Sequence, residues 1–153
     1  MCVETTIRSC TVAEIEQSST LQELLAAYSE ESSIPEFGTA SPDFAAYQAM
    51  EAAGALHLVG VFAPNLVGLA SLLVYGLPHY SGRRVCTMES LFVSPTYRDG
   101  GTGLKLLRAA EARALELGAA VLMVSAPVNG RLAQVLPRSG YRQTNEVFLR
   151  ALA

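Results

Sequence analysis

Between Glu51 and Arg83 the chain carries no Asp, Glu, Lys or Arg. So long an uncharged run must be hidden from water, either in a membrane or in the centre of a fold. A spanning helix needs about 20 predominantly apolar residues in unbroken series. Here the run is interrupted by His57, by Pro64-Asn65 and by Gly54, Gly60, Gly68 and Gly76. Pro64-Asn65 separates Ala55–Ala63 from Leu66–Tyr75, both rich in Val, Leu and aromatic residues. That pattern predicts two buried strands joined by a tight turn, and no membrane span.

The chain has 153 residues, enough for one domain spanning 1–153 with a core of its own. Hydrophobic residues make up 50 % and charged residues 16 %, against roughly 25 % charged in an average domain. Disorder is excluded, because it requires low hydrophobicity and high charge. A net charge of −3 argues against a general nucleic-acid binder, which needs a surplus of Lys and Arg to neutralise phosphates. So few charges lead us to expect apolar surface covered by a second copy, as a homodimer. The three cysteines, Cys2, Cys10 and Cys86, are odd in number and form no Cys-x-x-Cys pair. A disulfide framework or Cys-rich zinc site is therefore not expected, and a reducing compartment is. The first residues lack a basic segment followed by an apolar one, so the expected location is the cytoplasm.

Val3–Cys10 reads as a first strand. Thr11 and Glu14 form a capping-box pair ahead of a helix that carries Leu21, Leu24 and Leu25 and reaches about Tyr28. After a polar loop, Ser41-Pro42 opens a second helix containing Phe44, Tyr47 and Met50, stopped by Gly54. The hairpin of 55–75 follows, then a strand at Val85–Val93. A Gly-rich turn leads into a helix at Leu104–Leu117, with Leu104, Leu107, Ala110, Ala114 and Leu117 as its apolar stripe. Ala119–Ser125 reads as a buried strand, Gly130–Arg138 as a short helix, and Tyr141–Leu152 as a last strand or tight pair. The order β-α-α-β-β-β-α-β-α-β predicts an α/β (α+β) fold. Helices flank a mixed, mostly antiparallel sheet, with one parallel pair around the long helix.

The chemistry is concentrated in Leu91-Phe92-Val93-Ser94-Pro95-Thr96-Tyr97-Arg98-Asp99-Gly100-Gly101-Thr102-Gly103-Leu104. The first turn of a helix leaves backbone N–H groups without partners at the positive end of the macrodipole. Glycines there let a phosphate approach the backbone. The spacing is not a P-loop, which needs Gly-x-x-x-x-Gly-Lys-Ser/Thr. It is not a dinucleotide fingerprint either, since the third glycine is replaced by Leu106.

The remaining pattern, Arg98-x-x-Gly101-x-Gly103 after a strand ending Val93-Ser94-Pro95, resembles the acyl-CoA pyrophosphate loop of the GNAT superfamily of N-acyltransferases. The element order matches that fold along nearly the whole chain, while the specific motifs lie between about Glu89 and Tyr141. The resemblance implies an N-acetyltransferase with acetyl-CoA as cosubstrate and a small-molecule or protein amine as acceptor. It implies that amides from Asp99 through Gly100, Gly101, Thr102 and Gly103 to Leu104, with Arg98, grip the pyrophosphate. Leu91, Phe92 and Val93 would pair with the pantetheine arm as a strand does, and an amide near Val93 would polarise the thioester carbonyl. Glu89, four residues before Val93 and so expected on the same face, has two readings. One is general base; the other is a strand-end carboxylate in solvent or paired with Arg83 or Arg84. Asn129 is likewise either a cofactor contact or a turn residue before Gly130.

One position departs from the family. A Tyr often stands four residues before a terminal Gly-Phe/Tyr pair and protonates the leaving thiolate. Ahead of Gly140-Tyr141 that position is Leu136. Tyr97, Tyr141, Tyr28, Tyr47, Ser125 or water are the substitutes. The loss supports an alternative: a catalytically weak, GNAT-like acyl-CoA-binding sensor or interaction module. His57 and His79 have no metal-ligand spacing, so no metal is expected. Cys86 reads as a buried strand residue rather than a nucleophile paired with His79. Glu30, Glu31, Glu36 and Asp43 read as a solvated acidic loop beside the acceptor region.

Overall fold

The computed structural model describes residues 3–32 and 34–153. Cys2 lies outside the described residues. Five strands form one sheet in the order β1-β2-β3-β4-β5: Thr6–Cys10, Leu56–Phe62, Leu66–Leu77, Arg83–Val93 and Leu122–Val124. The first three pairings are antiparallel and the last is parallel. The uncharged run therefore forms the centre of the sheet. At its turn, the Ala63 amide donates to the Asn65 carbonyl at 2.8 Å. No helix among the described residues is long and apolar enough to cross a membrane.

The helices divide between the two faces. On one face lies α4, Thr102–Glu116, whose Leu106, Leu107, Ala110 and Ala114 pack on Val59, Val61, Leu72, Cys86 and Met88. On the other lie α1 (Val12–Glu16), α2 (Leu21–Ser32) and α3 (Phe44–Ala52). From these, Val12, Ile15, Leu21 and Leu24 pack on Leu56, Leu58, Leu66 and Phe92. Each fully buried Leu adds about 1.5–3 kcal/mol to folding. The alternation of Leu56 and Leu58 against Val59 and Val61 is the period-2 pattern of a strand buried on both sides.

Several expectations change. The first helical segment is two helices, of which α1 begins with the Thr11–Glu14 capping box. The second helix is capped by Asp43 rather than Ser41, because the Asp43 carboxylate accepts the Ala46 amide at 3.0 Å. The stripe on α4 runs through Leu106, Leu107, Ala110 and Ala114, and Leu104 is 44 % exposed. Helical phase explains this: the sheet meets α4 on the side of Thr102 and Leu106, and Leu104 stands half a turn from each. The last strand is absent. After the short helix α5 (Arg131–Val135) and a 3₁₀ turn at Leu136–Ser139, residues 141–153 run without regular structure, with Val147, Phe148 and Leu152 exposed.

Candidate active site

Strand β4 carries a bulge at its centre. Leu72 of β3 is opposite Met88 and Ser71 is opposite Ser90, so Glu89 is the extra residue. A bulge sets two residues against one and re-aims the side chains beyond it. Before it, Cys86 and Met88 face α4. After it, Leu91 and Val93 face α4, while Ser90 and Phe92 turn to the α1–α3 side. Glu89 also lines the cavity on the α1–α3 side. The expectation that Glu89 and Val93 share a face is therefore overturned, because the bulge shifts the strand's alternation by one residue.

Glu89 is met by hydroxyls and by no cation among the described residues. Tyr47 Oη on α3 donates to its two carboxylate oxygens at 3.4 and 3.5 Å, and Ser71 Oγ donates at 3.5 Å. Ser71 and Ser90 are joined across the strands at 2.7 Å. The pairing of Glu89 with Arg83 or Arg84 is not formed, and Arg84 Nε donates to the Leu117 carbonyl instead. Burial, reinforced by the negative charge of Glu89, pushes the Tyr47 phenol up to about 12. The same two causes raise Tyr28 on α2. Both tyrosines border a cavity of about 250 Å³ that runs from Glu89 into the layer between the helices and the sheet.

From the bulge onward, the outer edge of β4 is open. Its register with β5 ends at Met88 opposite Val124, so residues 89–93 have a strand neighbour only on the β3 side. The open edge leads through 3₁₀ turns at Pro95–Tyr97 and Asp99–Gly101 into α4. Gly100 and Gly101 have φ of 72° and 75°, the left-handed region that disfavours any side chain. Nothing lies within 4 Å of where a Cβ would stand at Gly100, Gly101 or Gly103. The N-terminus of α4 has no side-chain cap, and Thr102, itself buried, turns its hydroxyl back to the Asp99 carbonyl at 3.1 Å. The first-turn amides are thus left for an outside acceptor, at the positive end of a helix. An unpaired strand edge ending in an uncapped, glycine-lined helix start fits an extended pantetheine arm followed by a diphosphate.

Arg98 does not point into this cradle. Its Nε donates to the Val93 carbonyl at 2.8 Å, Nη2 pairs with Glu31 of α2 at 2.9 Å, and its guanidinium lies 5.1 Å from the Phe92 ring centre. It ties the end of β4 to α2. Asn129 is an exposed turn residue with φ 58°.

The tyrosines separate by position. Leu136 is buried in the α4-side core and offers no proton. The Tyr141 hydroxyl is engaged by Glu111 at 2.8 Å, and Tyr97 packs at the edge of the α4-side core. Tyr47 and Tyr28 are the two at the Glu89 cavity. Cys86 is fully buried, with its thiol pushed up by burial, while His79 lies against Tyr80 with the two rings tilted by 40°. Of the acidic loop, Glu31 is held by Arg98 and Asp43 caps α3. No cluster of metal-ligating side chains occurs among the described residues. Sequence reasoning missed the serine pair. Its signal was Ser71, a hydroxyl in an otherwise apolar strand and only 3 % exposed.

Comparison with known proteins bears on the family and the fold. Residues 19–141 match the model of the acetyltransferase (GNAT) family. No curated protein sequence matches. Among solved structures, an aminoglycoside acetyltransferase from an uncultured soil metagenomic sample superposes with a TM-score of 0.75 at 18 % identity, covering 97 % of both chains. A ribosomal-protein-alanine N-acetyltransferase from Brucella melitensis gives 0.73 at 16 %, covering 98 % of this chain and 100 % of the other. An AAC(6')-Iy structure holding a CoA-based bisubstrate analogue gives 0.69 at 16 %, covering 98 % and 99 %. At these identities the structural likeness speaks for the fold, and the family match for membership. The chain is an acetyl-CoA-dependent N-acetyltransferase domain and belongs to the GNAT family.

Proposed function

We propose that the protein transfers an acetyl group from acetyl-CoA to a primary amine by direct attack within a ternary complex. The observation that carries this reading is continuity: Glu89 sits where the open edge of β4 begins, and that edge ends at the uncapped start of α4. Amides from Asp99 to Leu104 hold the diphosphate. The backbone of Leu91–Val93 pairs with the pantetheine arm and presents an N–H to the thioester carbonyl. Glu89, directly or through a water, takes the proton of the attacking amine. The amine nitrogen bonds to the acyl carbon, the C–S bond breaks, and the thiolate leaves with a proton from water or from a cavity tyrosine. A thiol is acidic enough near neutral pH for its thiolate to leave without a dedicated acid, which is compatible with a buried Leu136.

The same reading places the protein in the cytoplasm as a homodimer. Supporting this are Cys10 and Cys86, both free, and the exposed Val147, Phe148 and Leu152 in the last residues. The test is calorimetric titration with CoA beside a thiol-release assay with acetyl-CoA and amines. Binding with amine-dependent release is expected. Binding without release across broad amine panels would instead identify an acyl-CoA-binding module, and no binding would refute both.

A further inference from the structure

The cavity beside Glu89 has a composition that specifies its guest. Resting on the acetyl-transfer reading above, we infer that the acceptor is a compact primary monoamine with an apolar body, of the size and character of an n-alkylamine or benzylamine. The walls are Leu21, Leu24, Leu25, Phe44 and Phe92, with Tyr28 and Tyr47 toward the polar end. Glu89 is the single ionisable carboxylate lining it. Of the neighbouring acids, Glu30 and Glu36 are exposed and do not line the cavity, and three others are engaged elsewhere. Glu31 pairs with Arg98 at 2.9 Å, Asp43 caps α3, and Glu51 accepts the Val12 amide at 2.9 Å.

A polyamine or aminoglycoside would therefore bring ammonium groups against leucine and phenylalanine, where an unpaired charge is strongly disfavoured. A peptide N-terminus would bring several amides, whereas the hydroxyls in the lining are few and Ser71 and Ser90 already bond each other. The cavity of about 250 Å³ is also below the roughly 300–1,000 Å³ that accommodates drug-sized ligands. One ammonium at Glu89, with a hydrocarbon tail lying along Leu24 and Phe92, satisfies every wall. The hydroxyl contacts at 3.4–3.5 Å that Glu89 now has are long enough for an ammonium to displace at little cost.

The test measures kcat/KM with acetyl-CoA for ethylamine, butylamine, hexylamine and benzylamine, and for spermidine, kanamycin and a peptide beginning with alanine. CoA affinity is measured separately by calorimetry. The expected result is a rise of about fourfold per added methylene up to the length that fills the cavity. Hexylamine and benzylamine should exceed the polycations and the peptide by at least about a hundredfold. Leu25→Trp should lower the hexylamine-to-ethylamine ratio by about tenfold or more. Leu25→Ala, the check against a misfolded Trp variant, should move the optimum to a longer chain. A flat alkyl series, or a preference for spermidine, kanamycin or the peptide, would overturn the monoamine inference and leave acetyl transfer standing. Loss of CoA binding in the wild-type protein, or CoA binding with no amine acetylated, would overturn the transfer reading and this inference with it.

Discussion

The hydroxyl of Tyr47 lies 3.4 Å from the carboxylate of Glu89, joining the third helix to the bulge of the fourth strand. The phenol, pushed up to about 12 by burial and by that carboxylate, remains a proton donor across any practical assay range. In the free protein it holds the Glu89 carboxylate in place without competing for the substrate proton. Tyr47→Phe should lower kcat/KM by about two- to tenfold, the value of one modest hydrogen bond. An unchanged kcat/KM would remove Tyr47 from the positioning of Glu89.

Glu89→Gln keeps the shape of the side chain and removes its basicity. Turnover should fall by about 10²–10⁴-fold, the range for loss of a general base. CoA affinity should stay within about twofold, since the cradle lies at the far end of the β4 edge. Parallel loss of CoA affinity would show that the substitution disturbs the bulge rather than the proton transfer.

Gly103 separates binding from folding. It is helical, not left-handed, and nothing stands within 4 Å of an added Cβ. Gly103→Glu should hold or raise thermal stability, because Gly is a poor helix residue and an acidic side chain suits a helix start. CoA affinity should nevertheless fall at least about tenfold, as the new carboxylate occupies and repels the diphosphate position. Retained affinity would place the diphosphate elsewhere.

Alkaline stability carries a separate signature. Cys10 is pushed up from 9.0 to about 12, chiefly by burial, and Tyr47 from 10.0 to about 12. Both fold preferentially in the neutral form. Their contribution is complete below pH 9 and declines as the pH rises from there to about 12, because the unfolded chain releases these protons first. Urea midpoints should fall across that interval. The fall should be shallower in a Cys10→Ala, Tyr47→Phe protein.

What could be read from the residues was what is decided locally. Thr11 with Glu14 fixes a helix start within four residues, and Gly100 with Gly101 fixes a turn whose φ values few side chains tolerate. The uncharged run divided at Pro64-Asn65 gave the central strands close to their observed limits. The bulge at Glu89 was not legible, because it exists only in the register of β4 against β3. Without it, counting in twos from Val93 put Glu89 on the wrong face. Leu104 was misplaced because the 3–4 spacing of leucines and alanines in α4 supports more than one stripe, and only the sheet selects among them. Tyr141–Leu152 reads as a last strand or tight pair, yet a strand needs a neighbour, and residues 141–153 have none within the described chain. The long hydroxyl contacts of Glu89 with Tyr47 and Ser71 span residues far apart in sequence and follow from packing alone.

The central claim is that the open edge of β4 and the first turn of α4 together receive CoA. It is tested most directly by following backbone amide resonances of the labelled protein as CoA is added. Saturable shifts should appear at Leu91–Val93 and from Asp99 to Leu104, largest at the glycines, and Gly103→Glu should abolish them. Shifts confined to other parts of the molecule, with these amides unmoved at saturation, would contradict the account.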